Sequence, residues 1–482
     1  MIELENVSYT YPHTVQKALH QISLSLPKGK CIMVTGPSGA GKTTLCLAAA
    51  GILYHEYGGK KEGRVNLEGK DIAGFAGLSE LAKKIGIVFD DAEAQMIFTT
   101  VEEEILSALE HRGLDAREIE ERYASIMTTA YLAELQNRSP HNLSGGQKQR
   151  VALAATLALG NDILILDEPT SELDEHATTR IVEILHALKT QGKTILLIEH
   201  KFRHFVKMVD ILVVMENGKI SAAGTPDEVL RNEQMRKIVT ADFSDFRADP
   251  AHQMNIQKKP QEPVISVRDL SFTYGEIPAL GSINLTIGSG EFLAIVGENG
   301  SGKTTLVKHF NGLLLPTNGD VFVKGINTKT CSIADLARHV GLVFQNPDHM
   351  FFADTVGEEV AFGLHNMGMT YDTDTINRTL NEVGLLHTKA LYPRWLSRGE
   401  RQRLAIACVI AMRPEILVLD EPTTGLDGNE ARLVMDTLKN FQLKGHTVVI
   451  ITHNHDIADY CADRVIRMEK GRIISDSNGM VN

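Results

Sequence analysis

The 482-residue sequence predicts an α/β protein of two consecutive domains, each a mainly parallel sheet covered by helices. Three observations lead there. The chain repeats itself. Within each copy, apolar runs of strand length alternate with helix-like stretches. One such run in each copy also ends in a glycine-rich loop.

The repeat is visible from the start, because Val7-Ser8-Tyr9-Thr10-Tyr11 answers to Leu270-Ser271-Phe272-Thr273-Tyr274. The glycine-rich loops begin at Gly36 and Gly297, 261 residues apart. Later landmarks are 253 apart: Ser144 and Ser397, Asp167 and Asp420, His200 and His453. The first copy therefore carries about eight extra residues, placed around Tyr54 to Gly63. The division is 1–239 for the first domain, 240–263 for a polar linker with Pro250, Pro260 and Pro263, and 264–482 for the second domain.

Taken in order, Cys31–Val34 and Phe292–Val296 are buried strands that feed the glycine loops. Ile163–Leu166, Thr194–Ile198, Ile416–Leu419 and Thr447–Ile451 have the same apolar, β-branched character. Val101–Leu109, Arg117–Ala130 and Asp372–Val383 are charged and helical. In Asn142-Leu143-Ser144-Gly145-Gly146-Gln147, Ser144 is an N-cap and a helix follows. The N–H groups exposed at such a start favour an anion such as a phosphate.

Composition limits the function classes. Apolar content of 43% and charged content of 23% are those of a soluble globular protein. A net charge of −12 speaks against a nucleic-acid partner. The five cysteines show no zinc spacing and suit a reducing compartment. The amino terminus has no apolar signal core, and no apolar run reaches the roughly 20 residues needed to span a bilayer. Any membrane role is expected to come through a partner.

Gly36-Pro37-Ser38-Gly39-Ala40-Gly41-Lys42-Thr43-Thr44 and Gly297-Glu298-Asn299-Gly300-Ser301-Gly302-Lys303-Thr304-Thr305 both fit the P-loop pattern. Its glycines free backbone N–H groups to wrap phosphates, Lys42 and Lys303 add a point charge, and Thr43 and Thr304 offer a hydroxyl to Mg²⁺. Asp167 and Asp420 end apolar strands and are placed to reach the same Mg²⁺. Glu168 and Glu421 follow as candidate general bases for an attacking water.

Ser144-Gly145-Gly146-Gln147 with Asp167 downstream, and Ser397-Arg398-Gly399-Glu400 with Asp420, resemble the signature and Walker B motifs of ATP-binding-cassette (ABC) ATPases. The resemblance covers nearly the whole chain. It implies ATP and Mg²⁺ as cofactors and a RecA-like core in each domain, with an antiparallel β subdomain and an inserted helical subdomain. It also implies that His200 and His453 contact the γ-phosphate and water, and that Tyr11 and Tyr274 stack on adenine. Ser171-Glu172-Leu173-Asp174 and Thr424-Gly425-Leu426-Asp427 resemble the family's D-loops.

Where the family has a glutamine that touches Mg²⁺ and hinges the helical subdomain, the second copy has Gln345 and the first has Asp90. An ionised carboxylate adds negative charge beside a triphosphate and donates no hydrogen bond. In the second signature, Arg398 replaces a glycine and Glu400 a glutamine. The family pairs its two domains head to tail, each P-loop with the opposite signature. The resemblance therefore puts Asp90, Arg398 and Glu400 together at the Lys42 site and makes the Lys303 site the more active.

A finer resemblance lies in Phe344-Gln345-Asn346-Pro347-Asp348 followed by Thr355-Val356-Gly357-Glu358-Glu359, with Thr100-Val101-Glu102-Glu103-Glu104 in the first copy. This pattern is similar to energy-coupling-factor and cobalt/nickel importer cassettes. It implies a peripheral subunit on the cytoplasmic face of the cell membrane. Its partners would be a transmembrane energy-coupling subunit and a small substrate-binding membrane protein. The cargo would be a vitamin, a vitamin precursor or a transition-metal ion. Met96, Ile97, Phe98, Met350, Phe351 and Phe352 are expected to form the groove that receives the membrane subunit. The alternatives are a fused sugar-importer ATPase and a soluble tandem ABC ATPase of translation or DNA repair. Translation-type members carry a long, charged helical linker and repair-type members carry zinc modules or coiled coils.

Overall fold

The computed structural model describes residues 1–12, 14–171, 173–239 and 262–477. The chain divides into two compact units, Met1–Ala241 and Asp242–Asn482. Most of the expected linker, 240–261, lies outside the described residues, as does Glu172.

In the first unit five parallel strands run in the order Ile85–Val88, Ile163–Asp167, Thr194–Ile198, Cys31–Thr35 and Ile211–Glu216. Lys219–Gly224 adds an antiparallel edge. The second unit repeats this with Val340–Val343, Ile416–Asp420, Thr447–Thr452, Phe292–Val296 and Arg464–Glu469, edged by Arg472–Asp476. The three central strands of each sheet are buried on both faces, which is why they read as continuous apolar runs rather than alternating ones.

The two faces bury against different layers. In the first unit Ile32, Val34, Ile163, Ile165, Leu196 and Ile198 pack under an antiparallel sheet. That sheet runs in the order Leu19–Leu26, Ile2–Thr10, Lys60–Leu67 and Lys70–Asp71. Cys31, Met33, Leu164, Leu166, Ile195 and Leu197 pack instead on the helical side with Val101, Ile105 and Leu153. Alternation along each strand thus assigns consecutive residues to opposite layers. The second unit has the same two cores. The extra early residues of the first copy are used in the short helix Ile52–His55 and in the longer strand Lys60–Leu67.

The helical layer forms where expected, as Val101–Glu110, Ala116–Thr129 and Thr373–Glu382. Thr100 and Glu103 make a reciprocal capping box at the first of these. Among the described residues, no helix is long and apolar enough to cross a membrane.

Candidate functional site

Both P-loops join the end of a central strand to a buried helix, Lys42–Ala49 or Lys303–Lys308. Gly41 and Gly302 precede these helices at φ 93° and 97°, a region that disfavours side chains. The buried lysines fold back onto the loop. Lys42 Nζ donates to Gly36 O and Pro37 O at 2.9 Å each, and Lys303 Nζ to Gly297 O and Glu298 O at 2.8 Å each. Gly39, Ala40, Gly300 and Ser301 complete the turns, and each cradle leaves its ammonium at the loop centre, where a phosphate would compete for it.

Asp167 and Asp420 end the neighbouring strands, as their apolar lead-ins required. Thr304 Oγ1 donates to Asp420 Oδ2 at 2.7 Å. Thr43 hydrogen-bonds Asp167 in the same way. Burial pushes the Asp167 carboxyl up to about 7, helped by the charges of Glu168 and Asp90. Asp420 is raised by burial, then by Glu421, with Thr304 and Lys303 opposing. Asp167 Oδ1 is buried without a hydrogen-bond partner. A hydroxyl beside a buried acid with a spare oxygen fits an octahedral Mg²⁺ that takes its remaining ligands from phosphates and water. No cluster of three His, Cys, Asp or Glu able to hold a metal occurs among the described residues, so the protein alone supplies only part of such a shell.

Glu168 and Glu421 have left-handed backbones, φ 48° and 49°. For a non-glycine residue this costs about 1–3 kcal/mol. Glu168 N donating to Ile198 O and Glu421 N to Ile451 O, each at 3.0 Å, hold them there. His200 Nε2 lies 3.0 Å from Glu168 Oε1, and His453 Nδ1 lies 3.0 Å from Glu421 Oε2. The two copies make the same pair with different ring nitrogens. Tyr11 and Tyr274 place their hydroxyls 3.2 Å and 3.4 Å from Thr44 Oγ1 and Thr305 Oγ1, which ties each aromatic to its P-loop helix. Asp90 and Gln345 are both exposed.

Ser144 caps the helix Gly145–Ala158, and Ser397 caps Arg398–Ala411. Both signatures close the same capping box. Gln147 Oε1 accepts from Ser144 N at 3.0 Å, and Glu400 Oε2 accepts from Ser397 N at 2.8 Å. Glutamate and glutamine fill the same capping-box position, so Glu400 is no structural departure. Gly146 is required, since a Cβ would lie 2.6 Å from Ala177 Cβ, while a Cβ at Gly399 would lie 2.4 Å from Glu430 Oε2 and would force that side chain to move. A Cβ at Gly145 would make only an ordinary contact, 3.9 Å from Leu173 Cδ2, whereas the Arg398 guanidinium lies over Gly425, where a Cβ would come within 2.5 Å of it. Arg398 thus changes the packing of its signature, and Glu400 changes its charge.

Alternation also divides the expected groove. Met96 and Phe351 turn inward, each 8% exposed, and belong to the cores. Ile97 and Phe352 turn outward, 82% and 73% exposed. Both lead-in backbones are extended, which sends consecutive side chains to opposite sides. Sequence reasoning missed what holds them. Buried Glu104 Oε2 accepts from Ile97 N and Phe98 N at 3.0 and 2.9 Å, and Glu359 Oε2 from Phe352 N and Ala353 N at 2.9 and 2.7 Å. The signal was the second glutamate of Thr-Val-x-Glu-Glu, which stands on the buried face of its helix.

The ABC transporter family model matches residues 19–171 and 280–424. An ABC transporter ATP-binding protein of Methanosarcina mazei is 50% identical over all of this chain and 96% of its own length. One from Caldanaerobacter subterraneus is 36% identical, covering 98% of this chain and 90% of the relative. The chain belongs to the ABC transporter ATP-binding family. It is an ATPase, the motor of a transporter, and the two P-loop units are its ATP-binding domains. Among solved ABC structures, cbiO1 from Clostridium perfringens, described as part of the ABC transporter complex cbiONQ, shares 37% identity. The match covers 45% of this chain and 88% of that one, with a TM-score of 0.42.

Proposed function

We propose that this ABC ATPase drives a membrane importer of the energy-coupling-factor type, docked on a transmembrane subunit that carries a small substrate-binding membrane protein. The observation that carries this reading is the outward display of Phe352. Its ring stacks on Phe362 at 5.7 Å, and the Glu359 carboxylate fixes its loop. Ile97 takes the same position in the first unit. Two exposed apolar side chains on braced loops, directly after the family-like hinge segments, suit the insertion of a partner's short helices. Phe352→Ser is expected to leave ATPase activity and folding intact while reducing recovery of the membrane subunit and uptake. Unchanged uptake would rule the assignment out. The cargo would be a vitamin, a vitamin precursor or a transition-metal ion.

In hydrolysis, Lys42 and Lys303 release their loop carbonyls to bind phosphate oxygens. Thr43 with Asp167, and Thr304 with Asp420 and Gln345, would hold Mg²⁺. Bound there, the ion would neutralise the charge of the phosphates. Glu168 and Glu421 accept the proton of the attacking water, and His200 and His453 orient water and γ-phosphate. A positioned base contributes roughly 10²–10⁴ in rate.

In a head-to-tail pairing of the two domains, the Lys303 site is the faster one. Gln345 can donate a hydrogen bond there, while Asp90 adds a charge that already raises Asp167. Glu421→Gln is expected to remove most of the turnover and Glu168→Gln the smaller share. The opposite ranking in steady-state assays would refute the asymmetry.

A further inference from the structure

Each unit presents a Glu–His pair at 3.0 Å, and in the first a buried Glu–Lys network ties the flanking segments together. Glu199, 1% exposed, follows the strand Thr194–Ile198. Its Oε1 accepts from Thr170 N at 2.9 Å and from the Thr170 hydroxyl. Its Oε2 accepts from His200 N at 2.9 Å and Lys201 N at 3.2 Å. Lys201 Nζ in turn donates to Thr170 O at 2.7 Å and Leu173 O at 3.1 Å. Thr170 is two residues beyond Glu168, and His200 is next to Glu199. One buried carboxylate therefore holds backbone beside both members of the pair.

The second copy replaces both residues. Thr452 stands for Glu199, and its hydroxyl accepts from Asn454 N at 3.0 Å. Asn454 stands for Lys201, and its side chain caps the helix His455–Cys461 by accepting from Asp456 N and Ile457 N. The loop after Glu421 makes the turn bonds that both copies share, Thr424 N to Glu421 O and Leu426 N to Thr423 O, with the Thr424 hydroxyl on Glu421 Oε2 at 3.4 Å. A carboxylate with four donors is a strong, charge-assisted acceptor. A threonine hydroxyl is too short to replace it across the same gap.

We infer that Glu199 and Lys201 are positioning residues of the first unit: they join the segment bearing His200 to the loop after Glu168, so that these parts move as one body. The inference rests on Glu168 and His200 being the hydrolytic pair.

The test uses the full chain carrying E421Q, whose residual turnover belongs to the first unit. K201N and the double change E199T/K201N install the second copy's residues. Each is expected to raise amide exchange at Thr170 and Leu173 by about tenfold or more. Each is also expected to lower kcat by about tenfold or more with KM for ATP unchanged, as small misplacements of reacting groups do. K201R, which keeps the donor, is expected to restore both. K201N is the milder variant and keeps the test readable if the double change does not fold. Turnover persisting in E168Q/E421Q would overturn the role of Glu168 and the inference with it. Turnover lost there, with exchange and kcat unmoved in K201N and E199T/K201N, would overturn the clamp alone.

Discussion

His309 follows the second P-loop helix with its side chain fully buried, its ring edge-on to Phe272 at 5.0 Å and Nδ1 2.7 Å from Thr305 O. Burial holds it below the ordinary value of 6.5, and the Thr305 carbonyl opposes only in part. A helix carboxyl end would favour the charged ring, but loss of hydration outweighs that. Below pH 6.5 the unfolded chain binds the proton more readily than the fold does, so stability falls as pH drops from 6.5 toward the depressed folded value and is fully present above 6.5. Thermal melts of the chain between pH 5 and 8 should show this loss, and His309→Gln should flatten it. Ala48 stands at this place in the first copy, so the effect belongs to the second unit. The places of Lys42, Asp167 and Glu421, at the start of a P-loop helix, at a strand end and just beyond one, were legible from sequence. His309 and Glu199 were not, because their meaning depends on burial and on partners about 30 residues away or on another strand.

Among the elements, the segment from hinge to helical layer carries most of what sequence alone left open. An ion pair links it to the signature helix in both copies, Glu93 Oε2 to Lys148 Nζ at 2.5 Å and Asp348 Oδ1 to Arg401 Nε at 2.8 Å. Glu359 braces its far end. Glu359→Ala leaves two backbone donors unpaired, at a cost of about 1–3 kcal/mol. Urea unfolding should register that loss, and Glu358→Ala, at an exposed position, should cost less. Strand and helix boundaries were legible within a residue or two because burial on both faces and the caps at Thr100, Ser144 and Ser397 write themselves into local sequence. The two three-residue apolar runs after the hinges, expected to form the groove whole, each send one residue, Met96 or Phe351, into the core. Extended backbone splits them, and extended backbone there follows from the Glu104 and Glu359 braces rather than from residue type.

At the scale of the whole molecule, duplication made the architecture readable, and the differences between the copies carry what is new. Asp90 against Gln345, Arg398 against Gly145, and Glu199 with Lys201 against Thr452 with Asn454 all distinguish units that share one fold. The ATPase assignment follows from the family, whereas the importer reading depends on membrane partners. Its most direct test is affinity capture of the tagged chain from gently solubilised native membranes, followed by mass spectrometry. The account expects a polytopic membrane subunit together with a small substrate-binding membrane protein, both depleted when Phe352 is serine. Capture of ribosomal or DNA-repair proteins instead, with neither membrane component and the chain recovered away from membranes, would contradict it.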